Sequence, residues 1–141
     1  MTVKIWEVAT GACTQTLEGH SRSINSVAFS ADSTLVVSAS DDMTVKIWEV
    51  ATGACTQTLE GHSRSINSVA FSADSTLVVS GSEDRTVKIW EVATGRCKHT
   101  TNTVTPLQRV SFDNTGSRLH TDVGYLEPVL RYNPSILTIT A

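Results

Sequence analysis

The chain has 141 residues, 40% of them hydrophobic and 18% charged, with a formal net charge of −3. That length suits one domain with a packed core, and the small acidic charge argues against a general binder of nucleic acid or anionic membrane, which would carry a basic patch. No apolar run approaches the roughly 18 residues that span a bilayer, and the start, MTVKIWEVATG, lacks the charged and apolar regions of a secretory signal, so the expected compartment is cytoplasmic.

Read in chain order, the sequence is one unit written repeatedly. Residues 2–43 and 44–85 match at 39 of 42 positions, and a third copy starts at Thr86, keeps TVKIWEVATG and then drifts. Trp6, Trp48 and Trp90 fall 42 apart, as do Cys13, Cys55 and Cys97, and His20 and His62 keep the same interval. Such a period, with Gly-His near one end and Trp plus an acidic residue near the other, marks a propeller blade of four antiparallel strands. The expected fold class is all-β, with almost no helix. A single blade cannot bury its own faces, so neighbouring blades must stack on it.

Residues 1–18 open in the third strand of a blade and supply its third and fourth strands only. Residues 19–60 and 61–101 each make a complete blade. In the second of these the polar turn Ser63-Arg64-Ser65 precedes a strand over 66–72, where Ile66, Val69 and Phe71 are apolar. Ala73-Asp74-Ser75 turns the chain into a strand over 76–82, whose run Leu77-Val78-Val79 suits burial on both faces. After Glu83-Asp84-Arg85, the alternation of Val87 and Ile89 with Lys88 predicts a third strand over 86–90. Gly95 supplies a turn, and 96–101 a shorter outer strand. Residues 102–123 are a degenerate half blade, with a strand at 110–112, a turn at Asn114-Thr115-Gly116 and a strand over 117–121; Tyr125 stands where the acidic turn residue would fall. Residues 124–141 form a non-repeat tail in which Pro128 and Pro134 break any long element and 135–140 make one strand. The sum is twelve strands, or about three blades, against the roughly 4–8 of a closed propeller. An incomplete ring is therefore expected. It would be completed by upstream blades of a longer chain, the favoured reading because the sequence begins mid-blade, or by a second copy in a homodimer.

Equivalent positions in blades radiating from an axis lie far apart, whereas a disulfide needs Cα atoms within about 7 Å. Cys13, Cys55 and Cys97 are therefore expected to be small buried thiols in a reducing compartment. His99 and His120 have no ligand spacing and are expected at the surface or at a sheet edge. No Gly-rich phosphate loop, Cys-x-x-Cys pair or His-Glu-x-x-His element occurs, so neither cofactor nor metal is expected.

Residue by residue, the unit resembles the WD-repeat family over about residues 1–122, with Trp-Glu (Trp48-Glu49, Trp90-Glu91) in place of Trp-Asp. The resemblance implies a buried hydrogen-bond chain in each full blade: His20, Ser38, Asp42 and Trp48 in the first, and His62, Ser80, Asp84 and Trp90 in the second. The donors and acceptors balance, since an indole only donates, a carboxylate only accepts, and hydroxyl and imidazole do both. A Ser/His/Asp set also suggests a hydrolase triad, but a nucleophile must be exposed beside an oxyanion hole. Here the serine lies mid-strand among Val78, Val79 and Gly81, and the set recurs in every blade. A structural role is expected, and no enzyme.

The two full units differ only at Ala39/Gly81, Asp41/Glu83 and Met43/Arg85. In WD-repeat propellers the turn bearing the last two pairs shares the top face with the turn after Gly-His. The resemblance thus implies a rim of Arg22, Asp41, Met43, Arg64, Glu83 and Arg85 as a candidate surface for other proteins. The segments TVKIWEVATGACTQTLEGH, VAFSADSTLVVSGSEDRTVKIW and SFDNTGSRLHTDVG resemble repeats of fungal NACHT–WD-repeat proteins of the heterokaryon-incompatibility type. There a propeller is the sensor behind an effector and a nucleotide-switch domain. The implication is a protein-binding recognition module, here a C-terminal piece. A scaffold adaptor of the mitochondrial-fission type and a non-functional repeat remnant are the alternatives.

Overall fold

A computed structural model describes residues 1–113, 118–128 and 137–140. These residues contain fourteen strands: β1 (Thr2–Trp6), β2 (Cys13–Glu18), β3 (Ile24–Phe29), β4 (Leu35–Ser40), β5 (Thr44–Glu49), β6 (Cys55–Glu60), β7 (Ile66–Phe71), β8 (Leu77–Ser82), β9 (Thr86–Glu91), β10 (Cys97–Asn102), β11 (Val110–Phe112), β12 (Leu119–Thr121), β13 (Gly124–Pro128) and β14 (Leu137–Thr140). No helix occurs among the described residues. The strands hydrogen-bond into one two-stranded sheet, β1-β2, and three antiparallel four-stranded sheets, β3-β4-β5-β6, β7-β8-β9-β10 and β11-β12-β13-β14. These are blades, and they do not close a ring.

The core lies between blades, because each sheet presents alternate residues to its two neighbours. Val3 and Leu17 of the half blade meet Val36 and Trp48 of the first full blade. The opposite face of that blade, with Val37, Val45, Ile47 and Leu59, meets Ile66, Val69, Val78 and Trp90 of the second. Val79, Val87 and Ile89 of the second then meet Leu107, Val110, Leu119 and Leu126 of the last. The second strands, LVVSAS and LVVSGS, lie between two strands within their sheet and are covered on both faces, so all but their first residue is buried. Left-handed backbone at Ser33, Met43, Ser75 and Arg85 closes the tight turns between first and second strands and between second and third. At Gly53 and Gly95 a φ of 75° coincides with a neighbour so close that a Cβ would lie 2.6 Å from the Gln15 or Gln57 side-chain oxygen. The positive φ favours glycine there, and a Cβ would also have to push the glutamine side chain aside.

Four expectations are corrected. First, the strands number fourteen among the described residues, because 124–128 and 137–140 add β13 and β14 to the sheet begun by β11 and β12. The half blade over 102–123 and the tail are thus one sheet, in which Pro128 ends a strand instead of excluding one; the anticipated turn at 114–116 and Pro134 lie outside the described residues. Second, Tyr125 does not occupy a turn. Thr121 pairs with Gly124, so the turn is only Asp122-Val123, and Tyr125 pairs with His120 as Ile89 pairs with Val79. Third, Cys13, Cys55 and Cys97 are exposed. They begin the outermost strand of their sheets, where an edge leaves side chains open to solvent. Fourth, His99 lies in the edge strand β10, as expected, but it is not at the surface: it is buried, 7% exposed, with Nε2 lacking a hydrogen-bond partner. In β10 it pairs with Ile89, the place that Gln57 takes opposite Ile47 and Gln15 opposite Ile5, on the side packed toward the next blade. His120 is exposed, as expected.

Candidate functional site

Each full blade contains the same polar chain. In the first, the Trp48 indole donates to Ser38 Oγ at 2.9 Å, Ser38 Oγ lies 2.7 Å from His20 Nε2, and His20 Nδ1 lies 2.8 Å from Asp42 Oδ2. In the second, Trp90, Ser80, His62 and Asp84 repeat this at 2.8, 2.7 and 2.8 Å. The proton order follows from the two ends. The indole can only donate and the carboxylate only accept, so the serine O–H donates to Nε2 and the imidazole Nδ1–H donates to the aspartate.

The fold supplies the four groups from different elements. Histidine precedes the first strand, serine sits in the second, aspartate follows in the turn, and tryptophan lies in the third. The aspartate is the knot. Asp42 also accepts the Ser21 backbone N–H at 3.1 Å, and its other oxygen accepts both the N–H and the hydroxyl of Thr44, at 2.9 and 2.6 Å. Asp84 does the same with Ser63 and Thr86. Burial pushes both carboxyls up, but the hydrogen bonds from threonine, histidine and backbone outweigh it and bring each down to about 2. Burial lowers the His62 pKa below its ordinary value, against the upward pull of Asp84. Thr44 and Thr86 are members of the network that sequence reasoning missed. The signal was available in the recurring Asp-x-Thr at 42–44 and 84–86.

Ser38 and Ser80 have no solvent exposure. A substrate cannot reach either hydroxyl, so this Ser/His/Asp set holds strands together and offers no nucleophile. Among the described residues, no group of three or more His, Cys, Asp or Glu side chains is arranged to hold a metal ion.

The rim is built beside this network. Ser40 Oγ donates to the carbonyls of Arg22 and Ser23, and the Asp41 N–H donates to Ser23 O, so the turn at 41–43 and the loop at 21–23 are pinned together. Ser82, Glu83, Arg64 and Ser65 repeat the arrangement. The six rim candidates are thereby brought together within each blade, and they then divide into two kinds. Asp41 is half-buried and accepts 2.7 Å from Asn25 Nδ2, which also donates to Ile66 O of the next blade at 3.0 Å. Glu83 accepts from Asn67 Nδ2, which donates in turn to Leu107 O. These two acids serve the joint between blades. Arg22, Arg64, Met43 and Arg85 are exposed. One of the three differences between the full units thus has a packing reason, and a second keeps the same joint contact in both. A Cβ at Gly81 would lie 3.3 Å from Val110 Cγ1, so glycine admits the divergent last blade where Ala39 meets an ordinary one. Asp41 and Glu83 both reach the latching asparagine. Only Met43 against Arg85 points into solvent.

The last blade lacks the relay. Asp122 in its short turn accepts the N–H groups of Gln108 and Arg109 at 3.1 and 3.2 Å, which keeps the loop-to-turn pin without histidine or tryptophan.

The WD domain, G-beta repeat pattern matches residues 11–49 and 53–91, more than half of the chain. Over 41 residues the sequence is 58% identical to the vegetative incompatibility protein HET-E-1 of Podospora anserina; the match covers 29% of this chain and 3% of that protein. Over 42 residues it is 45% identical to the nuclear distribution protein PAC1-2 of Uncinocarpus reesii (strain UAMH 1704), covering 30% of this chain and 9% of that one. The chain therefore spans only a small part of either relative.

Proposed function

Because this chain belongs to the WD40 repeat family, we propose that it is a non-catalytic recognition module that binds another protein through the rim carrying Arg22, Arg64, Met43 and Arg85. Modules of this family generally bind proteins and are typically non-catalytic. The observation that carries the reading is the fate of the three differences between otherwise identical units. One serves packing, one keeps a joint contact, and the third, Met43 against Arg85, lies on an exposed turn of fixed shape. A rigid scaffold that varies at an exposed turn suits recognition, because pinned loops bind without a large ordering cost. The likeness to a vegetative incompatibility protein supports a sensor role within a larger receptor, with rim contacts biasing a switch elsewhere in that assembly. A scaffold role is the second reading, favoured by the likeness to a nuclear distribution protein.

The test is proximity labelling in a fungal host with the wild-type chain and two variants. One carries Arg22→Glu, Arg64→Glu and Arg85→Glu on the rim. The other carries Ala51→Glu and Ala93→Glu on exposed turns at the opposite end of the strands. Partners should be lost from the first and retained by the second. Partners retained by the rim variant, or lost from both alike, would overturn the proposal. A single signalling partner favours the sensor, and several members of one complex favour the scaffold.

A further inference from the structure

We infer that the partner is anchored on the last blade, at the corner carrying Val104 and Val123, by a protein segment with an apolar side chain flanked by carboxylates. This rests on the rim reading above and adds to it a place and a chemistry. Single exposed apolar residues are common on protein surfaces, so their distribution matters more than their presence. Outside the half blade and the face of β3 beside it, the exposed large hydrophobic side chains among the described residues are Met43, Val104 and Val123. All three lie at the rim end of the strands: Met43 in the turn after β4, Val104 in the loop before β11 and Val123 in the turn after β12. Val104 is 83% exposed and Val123 50%.

Val104 stands where a full blade is polar. Asn25 grips the carbonyl of Ile66 and Asn67 that of Leu107, so these two buried residues are equivalent. Three residues before each, the loops carry Ser63 and Val104, both exposed. Exchanging a hydroxyl for an apolar group in solvent gains no packing within the chain. It gains apolar area for whatever covers that site. Ser63 and Arg85 belong to a blade packed on both faces and are still exposed, so neighbouring sheets do not cover this end of the strands.

Both valines sit on fixed backbone beside an arginine. The Thr103 N–H, next to Val104, donates to the Arg85 carbonyl at 2.8 Å, and Thr103 Oγ1 donates to the Thr105 carbonyl at 2.7 Å. The Arg109 N–H donates to Asp122, next to Val123, at 3.2 Å, and the Val123 N–H donates to Thr121 Oγ1 at 3.2 Å. Arg85 and Arg109 are exposed, and neither enters an ion pair among the described residues. The acids around them are already engaged. Glu83 Oε1 accepts from Asn67 and Gln108, Asp84 belongs to the relay, and Asp122 Oδ1 accepts two backbone N–H groups. The corner thus offers apolar area flanked by two unpaired cations, on loops with little freedom left to lose. Its complement is an apolar side chain with Asp or Glu beside it, whereas a basic segment would meet like charge. Apolar area with arginine around it is also the make-up of strong binding sites.

The experiment selects binders to the full chain from a random-sequence peptide library displayed on phage, then measures the winners as synthetic peptides by fluorescence anisotropy. Winners should pair an apolar residue with Asp or Glu. They should bind the chain with Val104→Ser and Val123→Ser at least about tenfold more weakly. Arg85→Met, which copies the first unit, together with Arg109→Gln should weaken binding about threefold and remove most of its salt dependence. Val104→Ser copies the second unit at an exposed site, so its unfolding midpoint should stay within about 2 °C of the wild type. The inference is overturned if that midpoint falls further, which would give the valine a packing role. It is also overturned if the selection yields no winners, if the winners are basic or lack acids, or if they bind the valine variant like the wild type. Winners that ignore the valines but are lost from a chain with Arg22→Glu and Arg64→Glu would overturn this seat and leave the rim reading standing. Winners indifferent to both sets would overturn the two together.

Discussion

Residues 2–20 and 44–62 are the same nineteen letters in two surroundings. Both fold into a strand, a turn and a strand, with the same register shift at the turn end of the pair. Yet Trp6 is 57% exposed and Trp48 1%, and Val8 is 98% exposed where Val50 is half-buried. The local sequence sets the extended backbone and the Gly11 or Gly53 turn, which need only neighbouring residues. Burial and the polar relay are set by strands from elsewhere in the chain. The same contrast holds within the first face of the stack, where Val27 is exposed and Val69 buried in identical local sequence.

The largest effect should come from deleting the tryptophans. Trp48→Ala removes a fully buried indole and should cost about 3–5 kcal/mol, while Trp6→Ala should cost under about 1 kcal/mol, as exposed positions do. Urea titrations of the two variants decide this, and equal losses would break the comparison. Next, His62→Ala should lower stability by about 1–3 kcal/mol, because Ser80 and Asp84 keep their burial and lose a partner. Thermal unfolding checks it, and Trp48→Phe should act in the same direction.

Acid should then unfold the complete blades through their aspartates. Asp42 and Asp84 ionise near 2 when folded and near 3.8 otherwise. Between those values the unfolded chain binds more protons, so their contribution is full above about pH 4 and is lost as pH falls toward 2. His62, held below its ordinary 6.5, adds a loss of the same sign as pH falls through that value. Midpoints measured from pH 8 to pH 2 should decline in both windows, and Asp42→Asn with Asp84→Asn should flatten the lower one. The smallest effect belongs to Met43→Arg, which copies the second unit at an exposed turn and should leave stability within about 0.5 kcal/mol. A larger shift in denaturation midpoint would show that this turn also has a packing duty.

The blades were legible because each signal recurs at a fixed interval. The relay was legible in its residue types because donors and acceptors have to balance, whereas Thr44 and Thr86 looked like ordinary strand-opening residues until the aspartate was seen to accept from them. The exposed cysteines were misjudged because burial of a thiol depends on where an outer strand's edge lies, which no local pattern encodes. The role of Asp41 and Glu83 in the joint depends on an asparagine 16 residues earlier and on the carbonyl of another blade. The last sheet was opaque for a related reason. Shortening one turn to Asp122-Val123 shifts every following residue, and no repeat remains to reveal the new register.

At two of the three joints an asparagine grips its neighbour by a main-chain carbonyl, Ile66 in one case and Leu107 in the other. A clasp that ignores side chains accepts a twin and a distant cousin equally well. A unit exchanged at such a seam therefore keeps this clasp and asks only for local refitting, as at Gly81 beside Val110, so the array can change its length in integral steps while its exposed turns diversify.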